Sequence, residues 1–222
     1  MTRMRVLPPL LLFLRAAFAA TPGESLRQVQ ASPDFVDISK NPALAIDLKY
    51  ASVDNFLASD LYGEFRIPFL HRVAAAKLDS AARLLAAERP GAKLVIYDAL
   101  RPRSIQYRLW DKVKGTAREK YVANPATGSI HNYGFAVDLG LLDASGKAMD
   151  MGTPFDDFSD RAQPRLEAGF FKTGALTTAQ IADRKLLRRI MEKAGFIQLP
   201  LEWWHFDALP KAEVKSGYRI VE

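Results

Sequence analysis

The spacing of apolar residues, together with start and stop signals, predicts three helices. Leu70 to Glu88 carries apolar side chains at the intervals of one helical face, and Pro90 and Gly91 follow directly as a stop signal. A second helix is predicted over about 103–113, because Pro102 suits a first helical turn. A third begins after Thr177, which forms a capping-box pattern with Gln180, and ends at Gly195.

Alternation of apolar and polar residues predicts several short strands, at about 43–50, 93–97, 134–142, 196–198 and 204–206. In 134–142, large apolar residues occupy the odd positions, whereas Asp138 lies on the other parity and therefore points to the opposite face. Strands that look mostly antiparallel, with helices around them, predict an α+β fold: a single compact domain with a mostly antiparallel sheet flanked by helices.

Composition and charge narrow the class of protein. The 222 residues are 49% hydrophobic and 25% charged, which suits one globular domain. Residues 1–19 combine a basic start, a short apolar run and an A-x-A site, which predicts a signal peptide. We therefore expect export, with a periplasmic location, a lead-in segment over 20–42 and a catalytic domain over 43–222.

The net charge of +6 includes three arginines of the predicted signal segment, so the remainder carries three fewer charges, +3, without a basic run. This balance predicts no nucleic-acid partner, and we expect no integral membrane association after signal cleavage. The chain has no cysteine, which excludes disulfides, thiolate metal ligands and a cysteine nucleophile.

Two segments about seventy residues apart each pair a histidine with a nearby carboxylate. They are 129–138, with His131 and Asp138, and 202–205, with Glu202 and His205. Catalytic zinc sites use three protein ligands from His and Asp or Glu, and His131, Asp138 and His205 fit this count. We therefore predict one zinc ion per chain, in a cleft at the sheet.

The remaining chemistry needs a base and a positive partner for an oxyanion. Glu202 lies three residues before His205, and a regular strand would aim the two to opposite faces, so we expect Glu202 in a turn or bulge. Arg101 lies at a strand-to-helix junction and carries a permanent charge, which makes it the candidate oxyanion partner.

Each residue also has a simpler interpretation when taken alone. His131 fits an exposed loop residue, and His205, between two aromatic residues, fits a core histidine. Glu202 fits a surface acid, and Arg101 fits a helix-entry residue paired with Asp98. The joint occurrence favours a site. His71, on the first helix, is expected to be a solvated or partly buried residue without a role.

The pattern Ser129-x-His131-x-x-Gly134-x-Ala136-x-Asp138 with Glu202-x-Trp204-His205 resembles the zinc D-alanyl-D-alanine metallopeptidases. Within that group, Asp47–Ala51, Tyr97–Pro102 and Glu202–Phe206 are similar to VanX-type D-alanyl-D-alanine dipeptidases. The similarity runs from about Asp47 to Asp207.

The resemblance implies a role for each matching position. His131, Asp138 and His205 would hold zinc, Glu202 would be the catalytic acid and base, and Arg101 would stabilise the transition state. Ser129 would help to hold a small dipeptide substrate. Tyr50, Asp98 and Asp156 would line the pocket around the amine of that dipeptide. The chain departs from the family at Ala162-Gln163, where a Ser-His-like pair is common.

These inferences predict a zinc-dependent enzyme that hydrolyses D-alanyl-D-alanine to free D-alanine. Two alternatives stay open: a D,D-carboxypeptidase or endopeptidase acting on peptidoglycan stem peptides, and a non-catalytic zinc-stabilised binding module. Residue spacing does not distinguish a pocket for D-alanyl groups from one for L-alanyl groups, and it does not give the oligomeric state.

Overall fold

The structure is a computed structural model that describes residues 20–222. The predicted signal peptide lies outside these residues. Six helices are present in the described part: α1 Pro22–Ala31, α2 Arg72–Glu88, α3 Arg103–Val113, α4 Glu167–Lys172, α5 Thr178–Lys193 and α6 Lys211–Gly217. Seven strands accompany them: β1 Phe35–Asp37, β2 Leu44–Ile46, β3 Phe69–His71, β4 Lys93–Asp98, β5 Ala136–Leu142, β6 Ile197–Gln198 and β7 His205–Asp207.

The main sheet has five strands in the order β2-β4-β5-β7-β6. Only the pair β2 and β4 is parallel, and the other three pairs are antiparallel. The predicted α+β class with a mostly antiparallel sheet is therefore confirmed. Strands β1 and β3 form a separate antiparallel pair, and α2 and α5 pack against each other and against the main sheet.

The sequence-predicted helices agree closely with the structure. The helix α3 has the predicted bounds, and α5 begins with the predicted capping box, in which Thr177 and Gln180 exchange hydrogen bonds. The helix α2 begins two residues later than expected, because Leu70 and His71 belong to β3.

The expectation that His71 is solvated or partly buried was wrong, and one strand differs from its predicted bounds. His71 is buried: its Nδ1 accepts a hydrogen bond from the Val73 amide at 3.3 Å, and its ring stacks on Phe135 at 4.4 Å. Strand β2 is shorter than predicted, and Ile46 is 38% exposed although Leu44 is buried. Because β2 lies at the edge of the sheet, Ile46 has no neighbouring strand on one side.

The segment 20–42, expected as a lead-in, contains regular structure. The capping box of Thr21 and Glu24 starts α1, and β1 pairs with β3. Ser25, on the buried face of α1, donates a hydrogen bond to the backbone oxygen of Glu222, so both ends of the described chain meet.

Strand β5 is the centre of the sheet and is buried on both faces. Val137, Leu139 and Leu141 belong to the main hydrophobic core, as the odd-position pattern predicts. Asp138 and Gly140 occupy the other face, where the Tyr97 ring covers Gly140. The register places Asp138 opposite His205 of β7 and beside Asp98 of β4, which brings chemically active groups from three strands to one end of the sheet.

Gly134 joins the turn at 130–133 to β5 and needs the left-handed conformation, with φ of 72°. Its carbonyl accepts a hydrogen bond from the His71 amide at 2.9 Å. A Cβ at this position would lie 2.9 Å from the His71 nitrogen and 3.0 Å from the Phe35 ring. Both the backbone angle and the close approach therefore require glycine.

We expect Gly134→Ala to lower the free energy of unfolding by about 1–3 kcal/mol, since strain and steric overlap add. The matched control is Gly146→Ala, whose φ is 83° but whose Cβ would have open space. Urea denaturation of both variants measures the difference. Equal losses would show that the close approach to His71 contributes nothing.

Candidate metal centre

Three side chains that could hold a metal ion converge at the end of the sheet. His131 comes from the 3-10 turn Ile130–Tyr133, Asp138 from β5 and His205 from β7. All three are buried. The His205 Nδ1 lies 2.9 Å from the Asp138 Oδ1 and 3.2 Å from the His131 Nε2, which is 3.4 Å from the same carboxylate oxygen.

These distances suit one ion. A tetrahedral site with bonds of 2.0–2.2 Å to nitrogen and oxygen separates its ligand atoms by about 3.3–3.6 Å. The observed separations of 2.9, 3.2 and 3.4 Å reach the lower end of this range, and the ligand atoms of His131, Asp138 and His205 form a group within 4.8 Å. Two imidazole nitrogens and one carboxylate oxygen also match the donor chemistry of catalytic zinc sites. The residues therefore fit a metal ion.

The other ring nitrogens of both histidines are held by hydrogen bonds. The His131 Nδ1 lies 2.7 Å from the Ala99 carbonyl oxygen, which can only accept, so Nδ1 carries the proton and Nε2 is free to bind a metal. The His205 Nε2 lies 2.9 Å from Asp207 Oδ1. Such partners fix the orientation and the tautomer of a metal ligand.

Sequence reasoning missed Asp207. The signal was present, because residues 205 and 207 share one face of a strand under the two-residue period. The Ala99 carbonyl, in contrast, has no sequence signal, since any residue would supply the same backbone oxygen.

Electrostatics at the centre are dominated by mutual stabilisation of opposite charges. Burial opposes ionisation of Asp138, but the charge of His131 and hydrogen bonds from both histidines lower the pKa of Asp138 well below its usual range. Burial likewise opposes the charged form of His205, yet hydrogen bonds to Asp138 and Asp207 raise the pKa of His205 to about 10. The buried carboxylate is thus held ionised, as a metal ligand must be.

The turn that carries His131 is fixed by Ser129 and Asn132. Ser129 Oγ accepts a hydrogen bond from the His131 amide at 3.4 Å, and the Ser129 amide donates to Asn132 Oδ1 at 2.7 Å. Asn132 Nδ2 donates to the Arg101 carbonyl at 2.7 Å, and its own carbonyl accepts from the Val221 amide at 2.9 Å. The turn is thereby joined to the strand-to-helix junction and to the end of the chain.

Glu202 lies in the connection between β6 and β7, outside both strands. In a regular strand Glu202 and His205 would point to opposite faces. The position of Glu202 in this connection removes that restriction, as expected from the sequence. Glu202 lines the same cleft as the three candidate ligands. Burial is the largest cause that raises the pKa of Glu202 to about 7, against the opposing charge of His205.

Arg101 follows β4 and precedes α3, at the predicted junction, and is buried. Its Nε lies 3.0 Å from Asp98 Oδ2, and its guanidinium is 5.3 Å from the centre of the Tyr50 ring. Burial opposes the charge and is the largest single cause, but Asp98 and the other acidic groups nearby together outweigh it, and the pKa of Arg101 is raised above its usual range. Arg101 is therefore a fixed cation at the cleft.

The four predicted substrate residues do not all reach the cleft, which has a volume of about 370 Å³. Ser129, Tyr50 and Asp156 line it, and Tyr50 donates a hydrogen bond to Asp156 Oδ2 at 2.8 Å. Burial raises the pKa of Asp156 well above its usual range. Asp98 is fully buried behind Arg101, where it accepts hydrogen bonds from Tyr62 and from the Ala99 amide.

The substrate roles of these four residues stay predictions. The position of Asp98 brings it to Arg101 rather than to the cleft wall. Ala162 and Gln163, where the chain departs from the VanX-type pattern, are both buried and lie outside the cleft lining.

Comparison with known proteins agrees with the geometry of the site. Residues 32–221 match the sequence model of the Peptidase M15 family, described as D-ala-D-ala dipeptidase. A protein of Escherichia coli K12 named D-alanyl-D-alanine dipeptidase is 37% identical over 77% of this chain and 81% of its own length. A protein of Enterococcus faecium with the same name is 31% identical over 72% of this chain and 83% of its own length. A Synechocystis protein that also has this name is 30% identical over 64% of this chain and 70% of its own length.

Within residues 20–222, none of the helices combines the length and apolar character needed to cross a membrane.

We expect Asp207→Ala to weaken metal binding about 10- to 100-fold, because the His205 ring loses the acceptor that orients it. Competition with a chromophoric chelator measures the affinity. Asp111→Ala, at an exposed carboxylate of α3, is the matched control and should bind metal like the wild type. Unchanged affinity in a folded Asp207 variant would contradict the assigned role.

Proposed function

The chain belongs to the D-ala-D-ala dipeptidase family of metallopeptidases, and we propose that it hydrolyses the free dipeptide D-alanyl-D-alanine to D-alanine. The observation that carries this proposal is the buried group of His131, Asp138 and His205 with Glu202 in the same cleft. The relatives named for this activity supply the substrate.

We propose zinc as the metal, one ion per chain, held by His131, Asp138 and His205. The donor set supports this choice, since imidazole nitrogen and carboxylate oxygen without thiolate are the ligands of many catalytic zinc sites. When bound, zinc supplies Lewis acidity, which acidifies water and polarises a peptide carbonyl.

Glu202 is the proposed general base and acid. It takes a proton from the attacking water and returns it to the nitrogen of the leaving D-alanine. A pKa of about 7 suits both steps, because such a carboxyl group accepts and releases a proton near neutral pH. Two hydrogen bonds, from the Leu199 amide to the His205 carbonyl and from the Gln198 side chain to the Trp203 carbonyl, hold the connection that carries Glu202 and so set its backbone relative to His205.

Arg101 is the proposed stabiliser of the oxyanion that forms when water attacks. The charge is permanent, and its position is set before the substrate arrives by Asp98 on one side and the Tyr50 ring on the other. A cation held in this way needs little reorganisation during the reaction. Asp98 would then act on the substrate through Arg101.

Asp156 and Tyr50 are the proposed contacts of the substrate ammonium, and Ser129 is a proposed contact of the remaining dipeptide. Both Asp156 and Tyr50 line the cleft and share a hydrogen bond. An ammonium beside Asp156 would favour the ionised carboxylate and so offset the effect of burial on the pKa.

An aromatic wall on one side of the cleft supports a short substrate. The wall consists of Phe56, Tyr121 and Phe158. The Phe158 ring lies 4.8 Å from Phe56 and 5.0 Å from Tyr121, and all three line the cleft. The Arg118 guanidinium lies 5.5 Å from the Phe56 ring and 5.9 Å from the Phe158 ring. Because Asp156 is two residues before Phe158, the wall adjoins the proposed ammonium site and limits extension of the peptide there.

The two alternatives are supported less well. A carboxypeptidase acting on stem peptides needs a cleft open on the side where this wall lies. A non-catalytic binding module is disfavoured by membership of a metallopeptidase family and by Glu202, since a structural site needs no free base.

We also propose that the protein is exported to the periplasm and acts there on dipeptides released from peptidoglycan. The support is the signal-peptide pattern of residues 1–19. N-terminal sequencing of the protein from cell fractions tests it, and an uncleaved protein in the cytoplasm would contradict it.

Glu202→Ala should keep its metal and lose at least about 10³-fold in kcat, since proton transfer has no replacement. His205→Ala should lose both metal and activity. Metal content by mass spectrometry and hydrolysis of D-alanyl-D-alanine separate the two effects. Wild-type turnover by the Glu202 variant would refute the mechanism.

Phe158→Ala should raise the ratio of pentapeptide to dipeptide hydrolysis, because it opens the aromatic wall. We expect about a tenfold change in the ratio of kcat/KM values, typical of one lost pocket contact. Phe171→Ala, at a 47% exposed aromatic residue of α4 outside the cleft lining, is the control. A wild-type preference for the pentapeptide would overturn the dipeptidase assignment in favour of a carboxypeptidase.

A further inference from the structure

Lysines of α6 form a basic side of the cleft that the mechanism above does not use. Lys211 and Lys215 both line the cleft. They are four residues apart and therefore lie on one face of the helix. Val214 between them is buried, which anchors α6 against the core and leaves the lysines exposed at the cleft margin.

This basic side is joined to the loop that carries Ser129. The Lys215 Nζ donates a hydrogen bond to the Thr127 carbonyl at 3.0 Å, and Thr127, Gly128 and Ser129 all line the cleft. Within the described residues, the Lys211 ammonium has no carboxylate within 4.0 Å. Its charge is thus available to a ligand.

The charged groups of the cleft are distributed unevenly. The acidic lining residues are Asp138, Glu202 and Asp156, of which the first two belong to the catalytic centre and the third bonds to Tyr50. The only acid on α6 is Glu213, which is exposed and outside the cleft lining. A further lysine, Lys120, lines the cleft near the aromatic wall, 4.9 Å from the Tyr121 ring.

A free dipeptide is a zwitterion, with an ammonium at one end and a carboxylate at the other. With the ammonium beside Asp156, the carboxylate lies beyond the scissile bond and needs a cationic partner. We propose that Lys211 and Lys215 form the subsite for the substrate carboxylate and so select peptides with a free C-terminus. This inference rests on the proposed function.

The test compares D-alanyl-D-alanine with its C-terminal amide, which lacks the negative charge. In the double variant Lys211→Gln/Lys215→Gln, we expect KM for the dipeptide to rise about tenfold, as for the loss of charge-assisted hydrogen bonds. KM for the amide should stay unchanged. Lys185→Gln, at an exposed lysine of α5, is the matched control and should change neither value.

The comparison separates recognition from structure. If loss of the Lys215 contact with Thr127 merely disturbs the loop, hydrolysis of both substrates falls together, and the proposal is wrong. A variant that keeps wild-type KM for the dipeptide but loses activity on a longer acidic peptide would also overturn it, because the lysines would then bind a more distant group.

A binding measurement tests the subsite independently of the hydrolytic activity. Calorimetry on the metal-loaded wild type should show that D-alanine binds at least about tenfold more tightly than D-alaninamide, and the double variant should lose this preference. A wild type that shows the preference without hydrolysing the dipeptide would refute the proposed function and leave the subsite standing. Absence of the preference would refute the subsite.

Discussion

The rest of the site depends on one constraint, the burial of the Asp138 carboxylate in the central strand. An isolated buried charge is strongly unfavourable, so the fold must surround it with partners. The antiparallel pairing of β5 with β7 supplies His205 directly opposite, and the turn before β5 supplies His131. A shift of one residue in this pairing would turn His205 to the other face and deprive the carboxylate of one of its two histidine partners. The register of β5 and β7 and the ionic contacts of Asp138 therefore stabilise each other.

Much of this arrangement could be predicted from the sequence, because the signals are local. The three candidate ligands, the loop position of Glu202 and the junction at Arg101 follow from residue type, spacing and strand parity. The start of α3 follows from Pro102, which suits a first helical turn. The sequence could not predict contacts between residues that lie far apart in the chain. Burial of Asp98 behind Arg101 depends on Tyr62, which is thirty-six residues earlier in the chain.

His71 is a second residue whose surroundings could not be predicted from the sequence. Its position at the start of a helix is typical of a solvated residue, yet Phe135 stacks on its ring and Tyr218 contacts the ring edge to face, both from distant parts of the chain. The helix α1 has a similarly weak signal in the sequence. Few of its residues are apolar, and its buried face contains Gly23 and Ser25, so no apolar stripe predicts it.

The hydrogen bond between Val221 and Asn132 has a consequence for how far from the centre a damaging change can lie. Asn132 holds the turn of His131, and the amide that bonds to its carbonyl belongs to Val221, 89 residues later in the sequence. Val221 is buried and lies outside the cleft lining. Loss of this residue would leave the Asn132 carbonyl without its partner and loosen the turn that carries a candidate ligand, although Val221 itself takes no part in the chemistry.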